Sequence, residues 1–414
     1  MSSPASPQST GSFFRRRFIL AILSSGLFVD IGIWVRNFGV LLYVMDRTHG
    51  NPLAISMISL AEFAPIFVFS FIGGAFADRW RPKRTMVWCD LLSGLSIAVI
   101  LLFVDKGTWQ AVFFATFASS ILSQFSQPSG MRLFKLHVPD DLMQSGMSLY
   151  QTLFAVFMIL GPMIGTFVYQ RAGILVSVAI TGVAFLLSAL SLTFLPAERR
   201  ERRASEPGSL RRDMALGIRY VVRSKVLSAL GGCFLAAGFA LGLIQPLGIF
   251  LVTERLQLPK TDLQWFLAVN GAAMIIGGIL SMSMARRTQP HQVLTLGMVV
   301  SAITIAVMGL SLHLWLSLLA QFVSGLMMPG IQISINTMIL KNTEEPYVGR
   351  VNGILNPLFM GGMVMTMSAS GLLLQLTSLV TVYVASGVLF VVGTVPMLPL
   401  FRRRTGTPVS VGPL

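Results

Sequence analysis

The sequence predicts an all-α membrane protein: twelve transmembrane helices in two six-helix bundles, with both termini in the cytoplasm. Three observations lead there. The 414-residue chain is 54% hydrophobic and only 11% charged, with a mean hydropathy of +0.75, whereas a soluble domain carries about 25% charged residues. Twelve apolar runs reach the roughly 20 residues that a membrane-crossing helix needs, and they are too long for barrel strands of about 10 residues. One long polar interval, 196–225, divides these runs six and six.

In chain order, a polar tail (1–17) ends in Arg15, Arg16 and Arg17. The first run, 18–44, is too long for the apolar region of a cleavable signal. The first bundle, 18–195, continues with 53–77, 85–104, 109–131, 146–168 and 174–195. The basic linker PAERRERRASEPGSLRRDMALGIRYVVRSK (196–225) follows. The second bundle, 226–401, holds 226–252, 262–284, 293–311, 314–340, 351–375 and 379–401, and a basic tail, 402–414, closes the chain.

The net charge of +15 raises the question of a nucleic-acid partner. Its distribution answers no. With the N-terminus inside, 25 Lys and Arg fall in cytoplasmic segments and 5 in outer loops, while Arg36 lies within a span. That asymmetry is the positive-inside pattern, and it places the chain as a multi-pass protein of the cell membrane, expected to be a bacterial inner membrane. The two cysteines, Cys89 and Cys233, sit in apolar surroundings and read as packing residues. No Cys/His cluster has metal-ligand spacing, and no HExxH motif or nucleophile–base set marks an enzyme. No metal and no cofactor are expected.

The two halves carry a faint repeat. Gly73-Gly74 matches Gly277-Gly278, and Pro128 matches Pro329, at offsets of 204 and 201. Parallel six-helix repeats of this kind point to a transporter whose substrate path runs between the halves.

The stretch GGAFADRWRPKR (73–84) carries a resemblance. Gly74, Asp78 and Arg79 match the loop motif G-x-x-x-D-R-x-x-R/K-R/K, whose basic pair resembles Lys83-Arg84 set one residue later, and the chain is identified as a member of the major facilitator superfamily. HVPDDLMQSGMSLYQTLFAVFMILGPMIGT (137–166), MALGIRYVVRSKVLSAL and VGRVNGILNPLF resemble the drug:proton antiporter branch that includes macrolide efflux and siderophore export proteins. Gly161-Pro162-x-x-Gly165 resembles the antiporter motif of the fifth helix. The second-half loop GGILSMSMARRTQP lacks the acidic residue of the first, and the fourth span lacks the arginine found in some related antiporters. The resemblance implies proton-driven export by alternating access. It also implies a conformational latch in which Asp78, beside Arg79 and Arg84, ties the halves on the cytoplasmic side, with the start of the eleventh span at Arg350 as its partner.

Charges inside spans are costly unless paired or functional, and there are four: Asp30, Arg36, Glu62 and Asp90. At 1.5 Å per residue, Arg36 and Glu62 lie about 12 and 15 Å from the outer ends of their helices. Their common level predicts an ion pair or a shared outer vestibule. Asp90 is about 9 Å inside Arg84 and reads as a structural partner of the loop arginines. Asp30 stands about 18 Å from the inner end of the first span, and Arg36 is about 240° around the helix from it. An unpaired carboxylate there can take up a proton, which removes its charge and changes which conformation costs less. Proton coupling, structural pairing and binding of a cationic substrate all remain open for Asp30. Glu62 is the alternative coupling acid, and the proton gradient is the expected energy source.

Apart from Asp262 at the first position of 262–284, the spans of the second half carry no charge. The expected substrate pocket combines Trp34, Phe38, Gln124, Phe125 and Gln127 with Phe239, Gln245, Gln332, Asn336 and Phe359. Such a set suits a bulky, largely apolar small molecule with a few hydrogen-bonding groups. A siderophore or lipid exporter of the same fold, an uptake symporter and a non-transporting scaffold are the other readings. A monomer in the lipid bilayer is expected.

Overall fold

A computed structural model of the chain describes residues 17–77, 80–104, 109–137, 140–195, 210–284, 288–344 and 347–401. These residues are helical, with short turns between helices. The first half holds α1 (Arg17–Arg47), α2 (Pro52–Ala77), α3 (Pro82–Val104), α4 (Trp109–His137) and α5 (Asp140–Thr193). After α6 (Leu210–Arg223) come α7 (Lys225–Ile244), α8 (Leu263–Met284), α9 (Pro290–Leu310), α10 (Leu314–Lys341), α11 (Val348–Leu376) and α12 (Leu379–Thr394). Nine segments among the described residues are long and apolar enough to cross a membrane. The third and fourth expected spans form α3 and α4 outside that set.

One expectation changes. The fifth and sixth spans run together as α5, broken only at Gly173 (φ 74°, ψ −174°). A side chain at that φ would be strained, so glycine makes the reversal with no separate loop. The C-terminal part of the linker forms α6. Helix starts follow local chemistry. Pro52, Pro82 and Pro290 open their helices, where the missing N–H costs nothing. Ser224 and Ser378 accept a backbone N–H from the first turns of α7 and α12. The seventh span continues past Ile244 as a 3₁₀ turn containing Pro246 and a π turn over Leu251–Arg255.

With lipid outside, helices gain by close approach rather than by hiding apolar surface from water. Large apolar side chains therefore stay outward: Trp315 is 82% exposed and Phe194 is 76% exposed. Inside, α1 packs on both limbs of α5, α2 and α3 pack on α4, α7 packs on α11 and α12, and α10 on α8 and α9. The halves meet along two seams, α2 on α11 and α5 on α8. At the face opposite the basic loops, Asp46 pairs with Lys260 across the halves. Gln375 Nε2 donates to Asn51 Oδ1 at 3.3 Å, and Ser56 and Ser370 hydroxyls lie 3.0 Å apart. Cross-half contacts thus close that face.

Candidate functional site

A cavity of about 290 Å³ runs from the middle of the first half toward its basic face. Its walls include Ile22, Asp30 and Arg36 from α1, Glu62 from α2, Asp90 from α3, and Gln124, Gln127 and Phe134 from α4. All of its described lining residues belong to the first half. The expected pocket residues of the second half do not line this cavity. Gln124 and Gln127 line the cavity, whereas Gln245, Gln332 and Asn336 are exposed outside its walls.

The aromatic candidates serve helix contact instead. Trp34 and Phe38, stacked at 6.1 Å, face Gly161 and Gly165 of α5. A Cβ on Gly161 would run into the Trp34 ring, and one on Gly165 would lie 2.7 Å from both the Trp34 carbonyl oxygen and Phe38 Cβ. Gly161, Pro162 and Gly165 are all buried. The Gly-Pro-x-x-Gly motif and the two aromatic residues, separate candidates in the sequence, are therefore two sides of one crossing. Phe239 packs on Gly362 of α11, and the backbone of Phe359 presses on Gly238 of α7. Phe125 stacks on Trp80 at 6.1 Å. None of these rings lines the cavity.

The charged residues part into three arrangements. Arg36 does not pair directly with Glu62. Its Nε and Nη2 donate to Asn37 Oδ1 at 3.1 and 3.0 Å, and Asn37 Nδ2 donates to Glu62 Oε1 at 2.6 Å. Arg36 Nη1 also donates to Ser119 Oγ at 2.7 Å, tying α1 to α4. The predicted ion pair is corrected to an amide-bridged one. An amide offers both a donor and an acceptor, so it satisfies a cation and an anion at once. Both charges do share a cavity, but one that extends to the basic face rather than an outer vestibule.

Asp90 is likewise corrected. It accepts from Ser188 Oγ at 2.5 Å, and Ser188 shares a 2.7 Å contact with Ser25. That chain joins α3, α5 and α1 instead of reaching the loop arginines. Asp30 is half-buried on the cavity wall. Among the described residues it has neither a hydrogen bond nor an ion pair.

The latch is only partly visible. Asp78 and Arg79 lie outside the described residues. Gly74 belongs to the last turn of α2, and Arg84 is exposed in the first turn of α3. The Arg350 guanidinium lies 5.1 Å from the Tyr347 ring centre, and its carbonyl lies against Gly217 of α6. Asn37 is the site residue that sequence reasoning missed. Neighbours i and i+1 point to different faces of a helix, so nothing in the spacing suggested that the long Arg36 side chain turns back to it. An amide beside a buried arginine was the available signal.

The family model described as "Major Facilitator Superfamily" matches residues 18–256 and 230–413. The chain is similar to the multidrug efflux pump Tap of Mycolicibacterium fortuitum, 26% identical over 76% of this chain and 79% of that one. It is also similar to the enterobactin exporter EntS of Shigella boydii serotype 4, 23% identical over 96% and 94% of the two chains. Among solved structures it resembles a bacterial homologue of the iron transporter ferroportin in an inward-facing state, with a TM-score of 0.72 and 15% identity over 96% and 100% of the chains. The chain belongs to the major facilitator superfamily, as a multi-pass membrane transporter.

Proposed function

We propose that this transporter is a proton-coupled exporter of bulky amphipathic small molecules, and that Asp30 carries the coupling proton. One observation carries the reading: among the described residues Asp30 stands on the wall of the cavity with no partner, while the other three intramembrane charges are all held by side chains. A lone carboxylate in a membrane interior is costly when charged. Deprotonated, it favours the conformation in which water reaches it. Protonated, it permits the cavity to close toward the basic face. Proton and substrate then alternate at one wall, and uphill movement of one is driven by the other. The cavity is mostly apolar, with Gln124 and Gln127 as hydrogen-bonding groups, which suits a largely apolar ligand. Export direction is supported by the likeness to Tap and EntS.

The test is a growth-protection panel of antibiotics and siderophores, followed by everted vesicles carrying an internal pH probe. Substrate addition is expected to release protons from the wild type. Asp30→Asn is expected to abolish uphill transport while leaving downhill exchange. Normal uphill transport by Asp30→Asn would remove Asp30 from the coupling role. Protons moving together with substrate would make the protein a symporter, and a proton-silent protein would be a flippase or a scaffold.

A further inference from the structure

The basic linker contains a helix whose second face has no partner among the described residues. One side of α6 is fixed on α11. A Cβ on Gly217 would lie 3.1 Å from the Arg350 carbonyl oxygen and 3.2 Å from Ile354. Tyr220 stacks on Tyr347 with ring centres 4.6 Å apart, its hydroxyl accepts from the Glu344 N–H at 3.2 Å, and Val221 is buried. Next to that side runs a second apolar stripe: Met214, Ile218 and Val222 are 38%, 48% and 68% exposed. At about 100° per residue the stripe covers roughly 80° of the helix, and Arg219 and Arg223 lie about 60° and 100° beyond its edge. Both arginines are exposed, and among the described residues neither has a hydrogen bond or an ion pair.

Position says what covers the stripe. Ser224, extended at φ −85° and ψ 116°, is the one residue between α6 and α7. α7 is a membrane-crossing helix, so Val222 lies within about 4.5 Å of chain rise from its start. An apolar stripe bordered by arginines at the head of a membrane span has the layout of a helix lying in the plane of the interface. We propose that α6 is an anionic-lipid binding helix, with Met214, Ile218 and Val222 among the acyl chains and Arg219 and Arg223 on the phosphates of anionic headgroups. Its other side bears on the first turn of α11, so what α6 binds is mechanically continuous with the α2–α11 seam between the halves.

The full chain carrying Val222→Cys, labelled with a polarity-sensitive fluorophore, tests this. Cys89 and Cys233 are buried, which leaves the new thiol as the reactive one. The protein is reconstituted in vesicles of phosphatidylcholine alone, or with one quarter phosphatidylglycerol, each containing brominated acyl chains. Bromine quenching is expected in the mixed vesicles, weaker in phosphatidylcholine alone and weaker at high salt. Adding Arg219→Gln and Arg223→Gln is expected to lower the bound population by about fivefold per charge removed. Equal bromine quenching in both lipids would overturn the headgroup assignment. Quenching by aqueous iodide alone would overturn membrane contact altogether. Protection that rises with protein-to-lipid ratio would give the stripe to a second copy, and protection in detergent without lipid would give it to residues 196–209.

Discussion

The two halves build the same helix crossing in opposite ways. In the first, α1 supplies bulk at Trp34 and Phe38, and α5 supplies glycine at 161 and 165. In the second, α7 supplies glycine at 238 and 242, and α11 supplies bulk and backbone around Phe359 and Met363. Gly238 and Gly242 stand 204 residues after Trp34 and Phe38, and Phe359 and Met363 stand 198 after Gly161 and Gly165. The fold needs one small surface per crossing at i and i+4, and it is indifferent to which helix offers it. At the same offset of 204, Asp30 maps to Phe234, Arg36 to Ala240, Glu62 to Phe266 and Asp90 to Leu294. The second half is thus the first with its charged interior replaced by apolar side chains, of which Ala240, Phe266 and Leu294 are buried. One half carries the polar chemistry and the other acts as its uncharged counterpart.

That contrast can be broken experimentally. The largest effect is expected at position 37, whose mate is Leu241. Asn37→Leu makes the first half read like the second and strips Arg36 and Glu62 of their bridge. A loss of about 3–5 kcal/mol is expected, as for breaking a buried ion pair, measured as loss of folded protein in detergent. An unchanged melting temperature would mean that Arg36 and Glu62 pair directly once the amide is gone.

Gly242→Ala comes next. Its Cβ meets the Met363 carbonyl oxygen and Thr366 Oγ1, and a main-chain oxygen moves only if α11 moves. The expected cost is about 3 kcal/mol. Gly161→Ala meets a side chain, so about 1–2 kcal/mol is expected, and Trp34→Leu in the same molecule should recover at least half of it. Thermal unfolding of the four proteins checks the asymmetry, and equal losses at 161 and 242 with no rescue would refute it.

The smallest effect belongs to the cross-half pair. Asp46 and Lys260 are 49% and 26% exposed side chains, and exposed pairs contribute about 0–1 kcal/mol. Lys260→Ala should leave the melting temperature nearly unchanged while raising thiol accessibility at a cysteine placed at Ser370, by up to about fivefold. Unaltered accessibility would show that the Ser56–Ser370 and Asn51–Gln375 contacts hold that face shut without the pair.

The all-helical membrane fold and the family were legible because lengths, hydropathy and loop charges are local properties of the chain. Gly73-Gly74 and Asp78 carried the resemblance without any contact being known. The site was legible in its charges and illegible in their partners. Asp30, Arg36, Glu62 and Asp90 stood out because each is expensive in a membrane. Asn37, Ser119 and Ser188 did not, because small polar residues are common in spans and their bonds join helices far apart in sequence. The aromatic candidates misled for a related reason: Trp34 and Phe38 have the chemistry of a pocket wall, and their use is fixed by the glycines opposite.

By itself the sequence determined that this chain crosses a membrane many times, that its basic loops share one side, and that its intramembrane charge lies in the first half. Each of these follows from transfer free energies that depend on a residue and its immediate neighbours. The tertiary structure decided which charge is left without a partner among the described residues, where the cavity beside it lies, and which rings pack rather than line it. Those depend on distances between helices separated by tens to hundreds of residues, set by where a missing Cβ lets two backbones approach.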